Sequence, residues 1–274
     1  MVPLSQVGRH ATLNLRFSNQ RGRTVIRENY CEVPFKVTRL HESSSFGLAH
    51  LILMHSSAGV FGGDVLDSTI QVESGARVLL TQQASTKVHP AGAKCAELRQ
   101  QIRVEPGGEL HVLNDPIIPF AGSRLHQVIS IDLERDSRVY LWESFMAGRV
   151  GFGEVWQFDE FSSETSLRLC GQLIHLERFR LLPKLEGLTT TWVMSGARYV
   201  ATALAFDERT LELADRLHES IPAAGVDMPI TGLTVVRVVA DDGPGFHFQR
   251  STFFKTTMTF AAKPHWPHHL QMNL

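Results

Sequence analysis

Three segments of the chain repeat one pattern, and that repeat restricts the fold more than any other feature. Ile70-Gln71-Val72-Glu73, Ile102-Arg103-Val104-Glu105 and Ile131-Asp132-Leu133-Glu134 each run apolar, spacer, apolar, glutamate into a turn. The turns are Ser74-Gly75, Pro106-Gly107-Gly108 and Arg135-Asp136-Ser137, and the intervals are 32 residues (70 to 102) and 29 (102 to 131). A second apolar segment follows each turn: Val78-Leu79-Leu80, Leu110-His111-Val112 and Val139-Tyr140-Leu141. A weaker fourth copy, Leu167 to Gly171, begins 36 residues after Ile131. Units recurring every 20–50 residues or so cover one another's apolar faces by stacking. The expected fold is therefore mainly β, a layered β-helix or solenoid-like body. A β-sandwich built from similar hairpins is the alternative.

Stacking has a chemical consequence. Gln82 or Gln83, then Asp115, then Glu143 close the second segments, and Glu177 follows the fourth copy. Equivalent positions of stacked units lie on one side, so these side chains are expected to form a polar row; solvated strand ends are the plainer alternative. Beyond Gly196 the pattern changes. Glu208 to His218 suits an amphipathic helix stopped by Pro222, and Leu233 to Val239 returns to strand before a loop at Asp241-Asp242-Gly243-Pro244-Gly245. One or two helices are expected in the C-terminal part. The chain reads as a single domain over 1–274, with a β-rich body (1–195) and a helix-plus-β portion (196–274), because no Pro/Ser-rich linker divides it.

Charge and cysteines narrow the function classes. With 27 Lys+Arg against 28 Asp+Glu the net charge is −1, and nucleic-acid binding would call for a basic excess. The opening residues show no basic stretch leading into an apolar run, and Leu48 to Met54 is broken by His50 and too short for a membrane span, so a cytoplasmic location is expected. Cys31, Cys95 and Cys170 form no CxxC pair, which argues against a disulfide framework or structural zinc; Cys170 is expected in the core.

Motifs for catalysis are missing from the sequence: no GxSxG, HExxH or GxxxxGK[ST] occurs. Gly59 to Asp64 and Gly148 to Glu154 are glycine-rich but fit tight turns where backbones approach closely. Asp64 is expected to cap its loop, and Arg149 to pair with Glu154. His265, His268 and His269 read as a terminal tail.

Taken together, these residues resemble the UreD/UreH family of urease accessory proteins. The similarity runs through Ala11 to Phe17, Gly59-Val60-Phe61-Gly62-Gly63-Asp64, and Leu80-Thr81-Gln82-Gln83-Ala84-Ser85-Thr86-Lys87. It continues through Asp115-Pro116-Ile117-Ile118-Pro119-Phe120, Trp142-Glu143, Gly148-Arg149, Gly153-Glu154, Leu176-Glu177-Arg178 and Leu233 to Arg237. The order and spacing of the pieces carry the resemblance.

The resemblance implies a maturation factor without catalytic residues. It implies a scaffold that joins a UreF-type helical protein and a UreG-type GTPase to apo-urease, with nickel passing in transit. It also implies a β-helix-like fold with two helices and an internal passage, along which Glu143 and Glu177 match acidic relay positions. Gly62, Gly63, Asp64, Lys87, Asp115, Arg149 and Glu154 match motif positions with structural roles. The chain departs from the family at Ala58, His89 and Asn114. It departs most at Ser251 to Thr259, a β-branched run of low helix propensity where the family has a helix that holds the UreF-type partner. Two other readings stay open: a β-solenoid enzyme acting on polysaccharide through Asp115, Glu143 or Glu177, and a structural relative with no urease role.

Overall fold

The repeat builds a β-solenoid. The computed structural model of the chain describes residues 8–43, 47–185, 187–188, 194, 196–208 and 212–261. Ile70, Ile102, Ile131 and Leu167 stand side by side on the parallel strands Val65–Val72, Ala96–Val104, Arg124–Leu133 and Glu160–Leu169, all fully buried. These strands form the middle of a seven-stranded sheet, flanked by His10–Gln20 and Arg23–Cys31 at one edge and Gln172–Leu181 at the other.

The second segments stack likewise. Val78, Leu110 and Val139 are in register on Arg77–Gln82, Glu109–Leu113 and Arg138–Met146 in a second sheet. Three short strands, Val60–Phe61, Lys87–His89 and Ile118–Pro119, complete a third side. The chain thus winds about four times around one interior. Successive copies pair in parallel, which a sandwich of hairpins does not do.

Turn chemistry explains where the winding continues and where it stops. In the first three copies the glutamate carbonyl accepts the N–H three residues on: Ala76 to Glu73 (3.0 Å), Gly108 to Glu105 (2.9 Å) and Ser137 to Glu134 (3.2 Å). The third turn residue alone has positive φ: Gly75 (71°), Gly107 (73°) and Asp136 (61°). Such a corner carries the strand onto the second sheet. In the fourth copy Cys170 (49°) and Gly171 (81°) are both left-handed, the signature of a two-residue hairpin. The chain reverses there, so Gln172–Leu181 runs antiparallel to Glu160–Leu169 within the first sheet. Cys170 is consequently exposed at a hairpin tip, contrary to its expected place in the core.

The second sheet is extended instead by antiparallel strands Tyr199–Phe206, Leu233–Ala240 and Gly225–Ile230. Its two faces are both covered. Val139 and Leu141 point into the solenoid interior, while Tyr140 and Trp142 join a second core beneath the helices α1 (Leu213–Ser220) and α2 (Gly243–Ala261). α1 is shorter than the expected Glu208 to His218, beginning only at Leu213; residues 209–211 lie outside the described residues.

α2 overturns the expectation for the β-branched run. Ser251 to Thr259 is helical, and the presumed loop before it is the helix start. Asp242 Oδ1 accepts the Gly245 N–H at 2.8 Å, and Pro244 sits in the first turn, where no N–H is needed. Phe246, Phe253, Met258 and Phe260 are buried, with Trp142 5.9 Å from Phe246 and 5.5 Å from Phe253, centroid to centroid. Each such burial contributes about 1.5–3 kcal/mol. The β-branched residues cost at most about 0.7 kcal/mol apiece, so packing wins. His265, His268 and His269 lie outside the described residues. None of the described helices is long and apolar enough to cross a membrane.

Candidate functional site

Inward positions of the two main sheets are mostly aliphatic, but one layer is polar on both walls. On the second sheet, Thr81, Leu113 and Trp142 are in register, which sets the next residues, Gln82, Asn114 and Glu143, side by side. Glu143 pairs in turn with Thr202 of the antiparallel extension. On the first sheet the polar positions fall on two neighbouring rungs: Ser68, Gln100, Thr165 and Glu177 on one, with Ile129 among them, and Gln127 and Ser163 on the next.

The expected row therefore exists with two corrections. Asn114, rather than Asp115, occupies the position beside Glu143. Glu177 reaches the layer from the opposite sheet, because the fourth copy ends in a hairpin, and Thr202 takes the place an equivalent fourth copy would have filled.

A series of cavities follows this layer. An open one of about 380 Å³ near Arg237 shares Phe145, Glu177, Phe179 and Thr202 with an inner one of about 40 Å³. That shares Gln127 and Glu143 with a third of about 70 Å³. The third shares Leu53, His55, Gln82 and Thr86 with a fourth of about 120 Å³, beside Ser57, Gly59 and Lys87. Glu177 thus stands at the partition next to the open cavity and Glu143 at the one behind it. The inner volumes hold water-sized occupants and fall far below the roughly 300 Å³ of an organic-ligand pocket.

Glu143 is held between two carboxamides. Gln127 Nε2 donates to Oε2 at 2.8 Å, and Asn114 Nδ2 donates to Oε1. Its partial accessibility faces the cavities rather than bulk solvent. Burial pushes its carboxyl up to about 7, against the two amide donors that favour the charged form.

Glu177 behaves oppositely. His175 beside it, then the Arg237 guanidinium, hold its carboxyl below the ordinary range despite burial. The contacts are His175 Nε2 at 3.8 Å, Arg237 Nη2 at 3.5 Å and the Thr202 hydroxyl, which donates to Oε1 at 3.4 Å. Asp115 lines the third cavity but is bound to α2, with Arg250 Nη1 2.9 Å from Oδ1. Among the described residues, no three His, Cys, Asp or Glu side chains converge on a metal position.

The remaining motif residues shape turns. Asp64 Oδ1 accepts the Arg9 N–H at 2.7 Å and Oδ2 the Phe61 N–H at 2.9 Å, so it caps its loop. A Cβ on Gly62 would stand 2.4 Å from the Lys94 carbonyl oxygen, and Gly63 has φ +94°. Lys87 contributes its backbone: its carbonyl lies 2.4 Å from where a Gly59 Cβ would be. Arg149 Nε donates to Glu154 Oε2 at 2.8 Å, and the guanidinium lies 4.2 Å above the Phe120 ring. His89 is packed, stacked on Phe61 at 4.6 Å and edge-on to Phe120 at 4.5 Å. Asp64→Ala leaves two backbone donors without their acceptor and is expected to cost about 2 kcal/mol, read as a lower urea midpoint with the slope unchanged.

Sequence reading missed Asn114, Gln127, Ser68 and Gln100. The signal was a polar residue in the inward phase of an alternating strand: Leu66-x-Ser68-x-Ile70, Leu98-x-Gln100-x-Ile102 and Leu125-x-Gln127-x-Ile129.

The sequence profile of the UreD urease accessory proteins matches residues 9–249. The chain belongs to the UreD family. Among similar proteins, the urease accessory protein UreD of Acetivibrio thermocellus is 29% identical over 214 residues, covering 78% of this chain and 82% of that protein. The UreD of Ralstonia nicotianae is 31% identical over 213 residues, covering 77% and 72%. That of Thermosynechococcus vestitus is 29% identical over 236 residues, covering 83% and 82%. The matched span of the UreD profile takes in the whole polar layer and ends inside α2.

Proposed function

We propose that this UreD-family chain is a non-catalytic scaffold of urease maturation in the cytoplasm. It joins a UreF-type protein and a UreG-type GTPase to apo-urease and passes nickel inward along the polar layer, with Glu143 and Glu177 as relay ligands. Nickel is cargo in this reading, and no cofactor stays bound. The observation that carries it is the polar layer itself: carboxylates at the partitions of successive cavities inside an aliphatic solenoid. Burying such groups is unfavourable unless they are hydrogen-bonded or hold a cation. Oxygen donors suit transfer, because thiolates and imidazole clusters would retain a borderline metal more tightly. With α2 formed, the C-terminal segment offers the UreF-type partner a helix. Polysaccharide hydrolysis is disfavoured by the inner volumes, by the Asp115–Arg250 pair and by the two amides that box in Glu143.

The test is co-expression of a urease and its accessory set with and without this chain. Nickel-dependent activity is expected only with it, and a tagged form is expected to retain apo-urease and the UreF-type protein. The double variant Glu143→Ala/Glu177→Ala is expected to keep the complex and lose activation. Full activation by the double variant would defeat the relay, and full activation without the chain would defeat the reading as a whole.

A further inference from the structure

Beside Glu177, which lines the open cavity, stands an imidazole that a row of carboxylates does not account for. His175 and Glu177 are two residues apart on Gln172–Leu181, so their side chains share the inward face. His175 Nε2 is shielded from solvent and makes no hydrogen bond. It lies 3.8 Å from Glu177 Oε2, beyond hydrogen-bond reach. A buried ring nitrogen ordinarily finds a partner. Arg237 Nη2 lies 3.5 Å from the same oxygen on a side chain that is 58% exposed. Arg237 also lines the open cavity of about 380 Å³, into which it has room to withdraw.

We propose that His175 Nε2 and Glu177 Oε2 form a two-point site for a borderline divalent cation at the mouth of the passage, and that Arg237 is the counter-cation which the metal displaces. This rests on the passage being a metal route. Two atoms each about 2.1 Å from one first-row cation are about 3.0 Å apart when cis and about 4.2 Å when trans. The observed 3.8 Å falls between those limits, so small side-chain rotations complete the site. An imidazole ligand paired with one carboxylate favours Ni2+ over Mg2+ or Ca2+, which prefer oxygen alone. Two protein ligands, with water in the other positions, keep the ion exchangeable. The resident guanidinium lowers affinity further, because binding must break a half-exposed ion pair. Arg237 is then a specificity-determining residue: it keeps the carboxylate neutralised until a cation that also takes imidazole arrives.

The experiment is calorimetric titration of the full chain with Ni2+ alone, and with Mg2+ for comparison. His265, His268 and His269 are replaced by Asn in every protein so that tail imidazoles contribute nothing. Arg237→Gln is expected to tighten Ni2+ binding about two- to fivefold, as loss of such an ion pair would. Adding His175→Asn or Glu177→Gln to Arg237→Gln is expected to abolish that gain while Mg2+ binding stays unchanged. Absorption spectra with Co2+ provide a second readout, since loss of an imidazole ligand shifts the d–d bands whatever the affinity. Equal Ni2+ affinity in Arg237→Gln and in Arg237→Gln/His175→Asn, with identical Co2+ spectra, would overturn the site. Neither readout involves urease. Intact Ni2+ binding here beside normal urease activation by Glu143 variants would therefore uphold the site and overturn only the passage.

Discussion

Glu143→Gln is expected to make the protein more stable above neutral pH while lowering nickel-dependent urease activation at least tenfold. Burial raises the folded carboxyl from its ordinary 4.5 to about 7, so the folded state binds the proton more tightly than the unfolded chain. Its contribution to stability is full below about pH 4.5 and is lost as pH rises through about 7. That difference corresponds to at most about 3 kcal/mol. Gln removes it, because a neutral carboxamide has no charge to desolvate, and its oxygen and NH2 are satisfied if the Asn114 or Gln127 carboxamide turns over. Urea midpoints between pH 5 and 9 check this: the parent should weaken from pH 5 to about 7 and level off above it, and the variant should lack that fall. If Glu143 is the relay ligand proposed above, activation should drop, because removal of ligand-shell groups typically costs about 10- to 100-fold. A parent profile without the decline between pH 5 and about 7 would remove the physical basis for reading Glu143 as a strained, functional carboxylate.

Much of this architecture was legible from residues. Ile70, Ile102 and Ile131 announced their own stacking, because an apolar-x-apolar-Glu unit recurring at nearly constant spacing has few ways to bury its face. The row was legible only in outline. Its register depends on corners that admit one left-handed residue, and the fourth corner, Cys170-Gly171, admits two. That difference decides which sheet carries Glu177. α2 was hidden because the threonines from Thr252 to Thr259 weigh against a helix locally. What overrides them, the Trp142 and Tyr140 face of the second sheet, is more than a hundred residues distant in sequence. Gln127 and Asn114 were hidden for another reason: an inward polar residue looks like any other spacer until the phase of its strand is known.

Glu109→Gln is expected to act on stability in the opposite direction to Glu143→Gln, lowering it, with activation falling as the fold loosens. Glu109 is fully buried under α2, with Arg77 Nε at 3.0 Å, Arg138 Nη2 at 2.9 Å and His111 Nε2 at 2.9 Å. Burial pushes its carboxyl up, but His111, Arg77 and Arg138 outweigh that and hold it at about 2. Its contribution is present above about pH 4.5 and is lost as pH falls from there toward 2. His111, buried and kept neutral by its surroundings, stacks on Tyr140 at 4.4 Å and meets Phe254 of α2 edge-on at 6.2 Å. A neutral amide at position 109 leaves two guanidinium groups facing one another without their anion. Breaking a buried ion cluster in this way costs about 3–5 kcal/mol, and the melting midpoint should fall by about 10 °C. The near-ultraviolet circular dichroism of Tyr140 and Trp142 should weaken as α2 loosens. Arg16→Gln, which removes an exposed ion pair with Glu28, should change neither signal. Under the relay proposal, the two buried glutamates therefore separate scaffold from conduit. Glu109 is ionised and holds the second sheet to its helices, so losing its charge unbinds the fold. Glu143 is held near neutrality at a cavity wall, so losing its charge relaxes the fold and removes only what a passing cation would bind.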